Sequence, residues 1–134
     1  MPSGQGVMAF DYGTRRIGVA IGNSITQVGQ ALKTISHASA EIRFKEIEAL
    51  LKEWQPDRLV VGLPVHPDGS EHEMTQKARR FGNQLHGRFH LPVIWVDERY
   101  TSAVLEEDAK MRDNLDSHSA VLILEQFFAE LTAK

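Results

Sequence analysis

Three acidic positions stand where regular elements end. Asp11 closes the apolar run Val7-Met8-Ala9-Phe10 and is followed at once by Gly13, Thr14 and a second apolar run, Ile17-Gly18-Val19-Ala20-Ile21. A carboxylate there sits where the strand stops but the scaffold is still rigid, a place better suited to a metal ion or a phosphate than to packing. Asp97-Glu98 closes the run Val93-Ile94-Trp95-Val96, and Asp116 opens the last helix-like segment. Carboxylate oxygens are hard ligands that suit Mg²⁺. Two such ions about 4 Å apart can activate a water and stabilise the leaving oxygen in phosphodiester cleavage. That chemistry needs three or four acids from separate elements, with one bridging the metals. Asp11, at the centre of the predicted sheet, is the natural bridge.

Each acid also has a plainer explanation. Asp11 could accept backbone N–H groups from the turn at Tyr12-Gly13-Thr14. Asp116 could serve only as an N-cap. Asp97 and Glu98 could be solvated strand-end charges or partners of Arg99. Neighbouring strand residues point to opposite faces, so at most one of that pair faces a common site directly. The coincidence of three acids at three converging termini is what lifts the set above these explanations.

The remaining polar candidates are weaker. His86 and His90 stand four apart, as zinc ligands on a helix do. Gly87 and Pro92 beside them indicate a helix end with no third ligand, so an exposed polar pair is the better account. His66 lies in the loop after Leu63-Pro64, near the predicted site, and is assigned no role. Lys77, Arg79, Arg80 and Arg88 put positive charge on one helix. Such a cluster is commonly a solvated face, but it can also track a phosphate backbone. No Walker loop, G-x-G-x-x-G, G-x-S-x-G or zinc spacing is present.

The elements that must position the acids follow from periodicity. Residues 7–12 and 16–22 read as antiparallel strands joined by a short Gly-containing turn, and 29–36 as a third strand. Ile47, Leu50, Leu51 and Trp54 recur at helical spacing over 40–54, and Gln55-Pro56-Asp57 stops that helix. Leu59-Val60-Val61-Gly62-Leu63 is a continuous apolar run, as in a buried strand. Ser70 and Glu73 are spaced as a capping box before a helix with Met74, Ala78, Phe81, Leu85 and Phe89 on one face. A strand at 93–98 and a helix from about Thr101 come next. The last helix starts at Asp116, with Val121, Leu124, Phe128 and Leu131 facing inward. The order β-β-β-α-β-α-β-α-α predicts an α/β fold, a five-stranded mixed sheet with helices on both faces. Ligands of such sheets gather at the carboxyl ends of the parallel strands, where Asp11, Leu63-Pro64 and Asp97-Glu98 lie.

A chain of 134 residues with 42% hydrophobic and 25% charged residues is expected to be one soluble domain, 1–134. No stretch approaches the ~18 apolar residues of a membrane span, and the start MPSGQG carries no visible secretory signal. The absence of cysteine fits a reducing cytoplasm. The formal charge of −3 is not that of a strong nucleic-acid binder. The three singled-out acids equal that whole excess, so bound divalent metal would leave the protein near neutral.

Four stretches in register then carry a family resemblance: FDYGTRRIGVAIG (10–22), VVGLP with DGS after it (60–64 and 68–70), VDERYTS (96–102) and DSHSAVLILEQFF (116–128). Together they resemble the YqgF/RuvX family of the RNase H-like superfamily over almost the whole chain. The resemblance implies an RNase H-like fold, Mg²⁺ or Mn²⁺ dependence and nuclease chemistry. It also implies a nucleic-acid substrate, either precursor 16S rRNA in 5′-end maturation, free or within a ribosomal particle, or a branched DNA junction. By motif it makes Asp11, Glu98 and Asp116 the catalytic metal ligands. Arg15, Arg16, Lys77, Arg80 and Arg99 are the candidate contacts to the nucleic acid. The stretch Lys110-Met111-Arg112-Asp113-Asn114-Leu115, often longer and lysine-rich in relatives, holds two basic residues and one acid here. Few phosphate contacts are therefore expected.

Two other classes compete. A non-catalytic RNA-binding or ribosome-assembly module could keep the fold, but clustered unpaired carboxylates cost stability and repel a polyanion unless metal is present. Sugar kinases and actin-like proteins share a D-x-G-T hairpin, but they close two such domains around a nucleotide, and 134 residues provide one.

Overall fold

The computed structural model describes residues 6–13, 15–36, 39–65, 68–71, 73–98 and 112–132. Strands β1 (Gly6–Tyr12), β2 (Ile17–Asn23) and β3 (Val28–Ile35) form an antiparallel meander. Helix α1 (Ala40–Trp54) then crosses to β4 (Arg58–Leu63), and helix α2 (Glu73–Phe89) to β5 (Val93–Asp97). Helix α3 (Arg112–Thr132) closes the chain. The sheet order is β3-β2-β1-β4-β5, with β4 parallel to both β1 and β5. The strands and helices expected from the sequence are present, each within about two residues, apart from the two helix starts discussed below. The helix expected from Thr101 lies outside the described residues.

Alternation along the strands divides the core into two layers. Met8, Phe10, Ile17, Val19, Leu59 and Val61 face α1 and α2, where they pack with Phe44, Ile47, Ala78, Phe81 and Leu85. Val7, Ala9, Ala20, Val60 and Val96 face α3, against Ala120, Ile123, Leu124, Phe127 and Phe128. Phe81 is the hub of the first layer. Its ring stacks on Tyr12 at 4.7 Å, with Phe10 edge-on at 5.7 Å and Phe44 at 6.0 Å, arrangements that favour the ring quadrupoles.

Local chemistry sets the helix ends. The Ser39 hydroxyl accepts from Ile42 N–H at 3.4 Å and caps α1. At the other end Gln55 takes a left-handed conformation, φ 47°, and donates its N–H to Leu51 O at 2.8 Å. Pro56 follows, so the Gln55-Pro56-Asp57 stop forms as expected.

Three expectations need correction. The Ser70/Glu73 capping box does not form. Helix α2 begins at Glu73 itself, and Ser70 donates both its N–H and its hydroxyl to Asp68 Oδ1, at 2.9 and 2.6 Å. Asp68 is nearer in sequence and captures Ser70 in a local turn first. Helix α3 begins at Arg112, so Asp116 lies inside it rather than opening it. Its inward stripe also ends at Phe128: Leu131, in the last turn, is 38% exposed. Ile123 and Phe127 join that stripe as buried residues.

Candidate functional site

Alternation along three neighbouring strands carries one set of positions to the α3 face at the carboxyl end of the sheet. On β1 the series is Val7, Ala9, Asp11; on β4 it is Val60, Gly62; on β5 it is Ile94, Val96 and then Glu98, just past the strand end. Gly62 pairs with Val96 and Leu63 with Asp97, so Asp97 stands on the opposite face from Glu98. The separation of Asp97 from Glu98, expected from strand geometry alone, is present.

Glu98 is buried, at 9% exposure. Burial pushes its carboxyl up to about 8, helped by the charge of Asp11, by a hydrogen bond to Asp11 and by the charge of Asp97. A low-dielectric site disfavours the charged form, and a like charge beside it does so again. Burial and the neighbouring charges thus favour the protonated form of Glu98, hydrogen-bonded to Asp11. Asp97 is half-buried, and its charge adds to the rise at Glu98.

The space that seats Glu98 is made by a missing side chain. A Cβ built on Gly62 would lie 2.5 Å from Ile123 Cδ1 and 2.8 Å from both Cγ and Cδ of Glu98. Ile123 therefore marks where α3 crosses the site. Asp116 is seven positions earlier in the same helix, about two turns, with Ser119 between them buried at 6% exposure. The Asp116 side chain lies outside the described residues. Among the described residues no group of three or more histidines and acids forms a metal-sized cluster. Asp11 and Glu98 meet as a pair.

The basic candidates divide. The turn after Asp11 is closed by Gly13 N–H donating to Arg16 O at 2.9 Å, and a Cβ on Gly13 would lie 2.8 Å from that same oxygen. In this tight turn Arg15, four positions after Asp11, is exposed, and Arg16 is half-buried. On α2, Lys77 pairs with Glu73 at 3.1 Å and Arg79 with Glu71 at 2.6 Å, while Arg80 is exposed. Arg99 and His66 lie outside the described residues. The His86/His90 pair is exposed, with His86 Nδ1 3.0 Å from Leu91 O.

Sequence reasoning missed Gly62 as part of the site and read VVGLP only as a buried strand. The signal was available. A glycine inside an otherwise large, apolar strand marks a place where another group approaches closely.

A three-strand meander extended by two parallel strands, with helices on both faces and acids at the central carboxyl ends, is an RNase H-like fold. Solved structures share it. The chain superimposes on Thermus thermophilus RuvC in complex with a Holliday junction substrate with a TM-score of 0.58 at 12% identity, covering 96% of each chain. For the Fowlpox virus resolvase in complex with Holliday junction DNA the TM-score is 0.53 at 12% identity, covering 94% of this chain and 98% of that one.

Residues 5–130 match the family model described as "RuvX: Holliday junction resolvase", and the chain belongs to that family. A relative from Polynucleobacter necessarius is 73% identical over 124 residues, 92% of this chain and 84% of the relative. One from Burkholderia vietnamiensis is 54% identical over 133 residues, 93% and 89% of the two chains. Both are named "Putative pre-16S rRNA nuclease".

Proposed function

We propose that this protein is a metal-dependent endonuclease of structured RNA, acting in the 5′-end maturation of precursor 16S rRNA. The observation that carries the proposal is the Asp11–Glu98 pair: a buried carboxyl held protonated against its neighbour at the carboxyl ends of the central strands. Such an arrangement is costly in a resting protein and useful only if something positive replaces the proton. The pair fits a hard divalent cation, because both groups offer carboxylate oxygens and the like-charge strain is relieved once a cation enters.

Asp11, Glu98 and Asp116 would hold Mg²⁺ or Mn²⁺. When bound, the ion supplies positive charge to the scissile phosphate and acidifies the attacking water. Asp11, fixed by β1 and by the tight turn behind it, orients the site. Glu98 would have to give up its proton to hold the cation, so cation affinity would rise with pH. Asp116, on α3 about two turns before Ile123, would complete the set. Arg15, exposed in the turn after Asp11, would meet a phosphate of the substrate, with Arg16, Lys77, Arg80 and Arg99 as further contacts. Lys77 is already paired to Glu73, so its contribution is reduced. An rRNA precursor, free or in a ribosomal particle, would place the protein in the cytoplasm. Among the described residues no helix is long and apolar enough to cross a membrane.

The description of the family model supports a second reading, cleavage of branched DNA. The experiment that separates the two is incubation of pure protein with precursor 16S RNA and with a synthetic four-way DNA junction, each with and without Mn²⁺. Mn²⁺-dependent cleavage of the RNA that is absent from Asp11→Asn supports the proposal. Cleavage of the junction alone transfers it to DNA, and Mn²⁺-independent cleavage overturns it.

A further inference from the structure

We propose that Gly62 is a positioning residue: its missing side chain forms the slot that seats the Glu98 carboxyl beside Asp11 and beneath Ile123. The inference rests on the metal-ligand reading of Asp11 and Glu98. It deepens that reading by naming what sets the spacing between the two acids.

Gly62 follows Leu59, Val60 and Val61, all fully buried, in a strand where large side chains are the rule. A glycine there weakens the strand, so its presence requires a reason. Two neighbours supply it. Ile123 Cδ1 and the Glu98 Cγ and Cδ atoms all fall within 2.8 Å of where a Cβ would stand. Contacts that short do not occur between carbon atoms, so a methyl at position 62 must displace both the Ile123 methyl and the Glu98 side chain. The Ile123 Cδ1 methyl is the tip of its side chain, whereas Cγ and Cδ of Glu98 carry the carboxyl itself. The added methyl therefore presses on α3 through Ile123 and also shifts the carboxyl from its place beside Asp11. A metal site tolerates misplacement of a ligand by only about half an ångström, so a displacement of this kind is felt first in cation affinity.

A role in helix packing alone makes a different prediction, and Ile123 separates the two. Ile123→Val deletes Cδ1, the atom nearest the added methyl, but leaves Glu98 untouched. The experiment measures thermal unfolding and Mn²⁺ affinity, the latter by electron paramagnetic resonance without nucleic acid. The proteins are wild type, Asp11→Asn, Ile123→Val, Gly62→Ala and the Gly62→Ala/Ile123→Val pair. We expect Gly62→Ala to lower both stability and Mn²⁺ affinity, the latter by tenfold or more. The double variant should recover most of the stability but not the affinity. Recovery of both, or wild-type Mn²⁺ affinity in Gly62→Ala, overturns the positioning role while the metal reading stands. Should Gly62→Ala fail to fold, the double variant measured against Ile123→Val decides the same question. If wild type binds Mn²⁺ no more tightly than Asp11→Asn, the metal reading itself fails, and the inference with it.

Discussion

Under α1 and α2 the sheet is covered by large side chains: Met8, Phe10, Phe44, Ile47, Phe81 and Leu85. Under α3 the central positions are small, with Ala9, Ala20, Gly62 and Ala120. The first layer devotes its volume to burial, where one aromatic ring contributes several kcal/mol. The second gives up part of that burial to bring a helix backbone close. The small layer is also the one whose strands end in Asp11 and Glu98, and the helix it admits carries Asp116. The α1/α2 face thus holds the central aromatic cluster, and the α3 face the proposed chemistry. Glycines show the contrast in miniature. A Cβ on Gly82 of α2 would collide with the Trp95 ring, where only packing is at stake, whereas one on Gly62 would meet Glu98.

The sharpest way to break this contrast is to replace Asp11. Asp11→Asn is nearly isosteric but lacks the charge of a bridging ligand, so cleavage should fall to background. The metal-free protein should unfold at the same temperature or higher, because one of two opposed acids is gone. Full cleavage by a soluble Asp11→Asn protein would end the metal-ligand proposal. The mirror experiment is Phe81→Ala on the other face. It removes the ring that Tyr12, Phe10 and Phe44 share and should cost about 3–5 kcal/mol of stability, read by denaturant unfolding. Mn²⁺ affinity of the protein that remains folded should be unchanged. A large loss of affinity would mean that the faces are not independent.

A smaller effect separates Glu98 from Asp97. Glu98→Gln should lower cleavage by on the order of 10² or more, and Asp97→Asn far less, since Asp97 stands on the other face of the sheet. Kinetics of the two folded variants under one condition would show it, and the reverse ranking would mean that the strand register misassigns the ligand.

Stability against pH gives a further test. Glu98 is raised from 4.5 to about 8 in the folded state, so between those values the folded protein holds a proton that the unfolded chain has released. Stability then falls as pH rises through that window. Its contribution is greatest below pH 4.5 and lost above about 8. The decline should be visible in metal-free wild type by denaturant titration at several pH values, and should flatten in Glu98→Gln and in excess Mn²⁺. A wild type whose stability held constant across the window would contradict a protonated Glu98.

The smallest expected effect is in the salt dependence of RNA binding. With Lys77 and Arg79 already engaged by acids, a slope equivalent to about three to five phosphate contacts is expected, measured with Asp11→Asn in Ca²⁺ and wild type in EDTA. Tight, metal-independent binding with a steep slope would reveal a basic surface on neither face described above.

Much of the fold is legible in the amino-acid sequence. The stop at Gln55-Pro56, the alternation that parts Asp97 from Glu98 and the β-β-β-α-β-α-β order all follow from local rules. These are the fixed φ of proline, the two-residue period of a strand and the spacing of apolar residues on a helix. One departure falls where near neighbours compete: Asp68 takes the hydroxyl that a capping box at Ser70 would use. Helix α3 begins at Arg112 rather than Asp116.

By itself, the sequence determined which residue types stand at the strand ends and which face of the sheet each reaches, because both depend on periodicities that the chain carries locally. Only the tertiary structure decided that Glu98 is buried against Asp11 and holds a proton near neutral pH, and that Gly62 provides its seat. Those properties arise from desolvation and from contacts between β1, β4, β5 and α3, segments remote along the chain. The energy of burying a carboxyl depends on what the folded protein places around it.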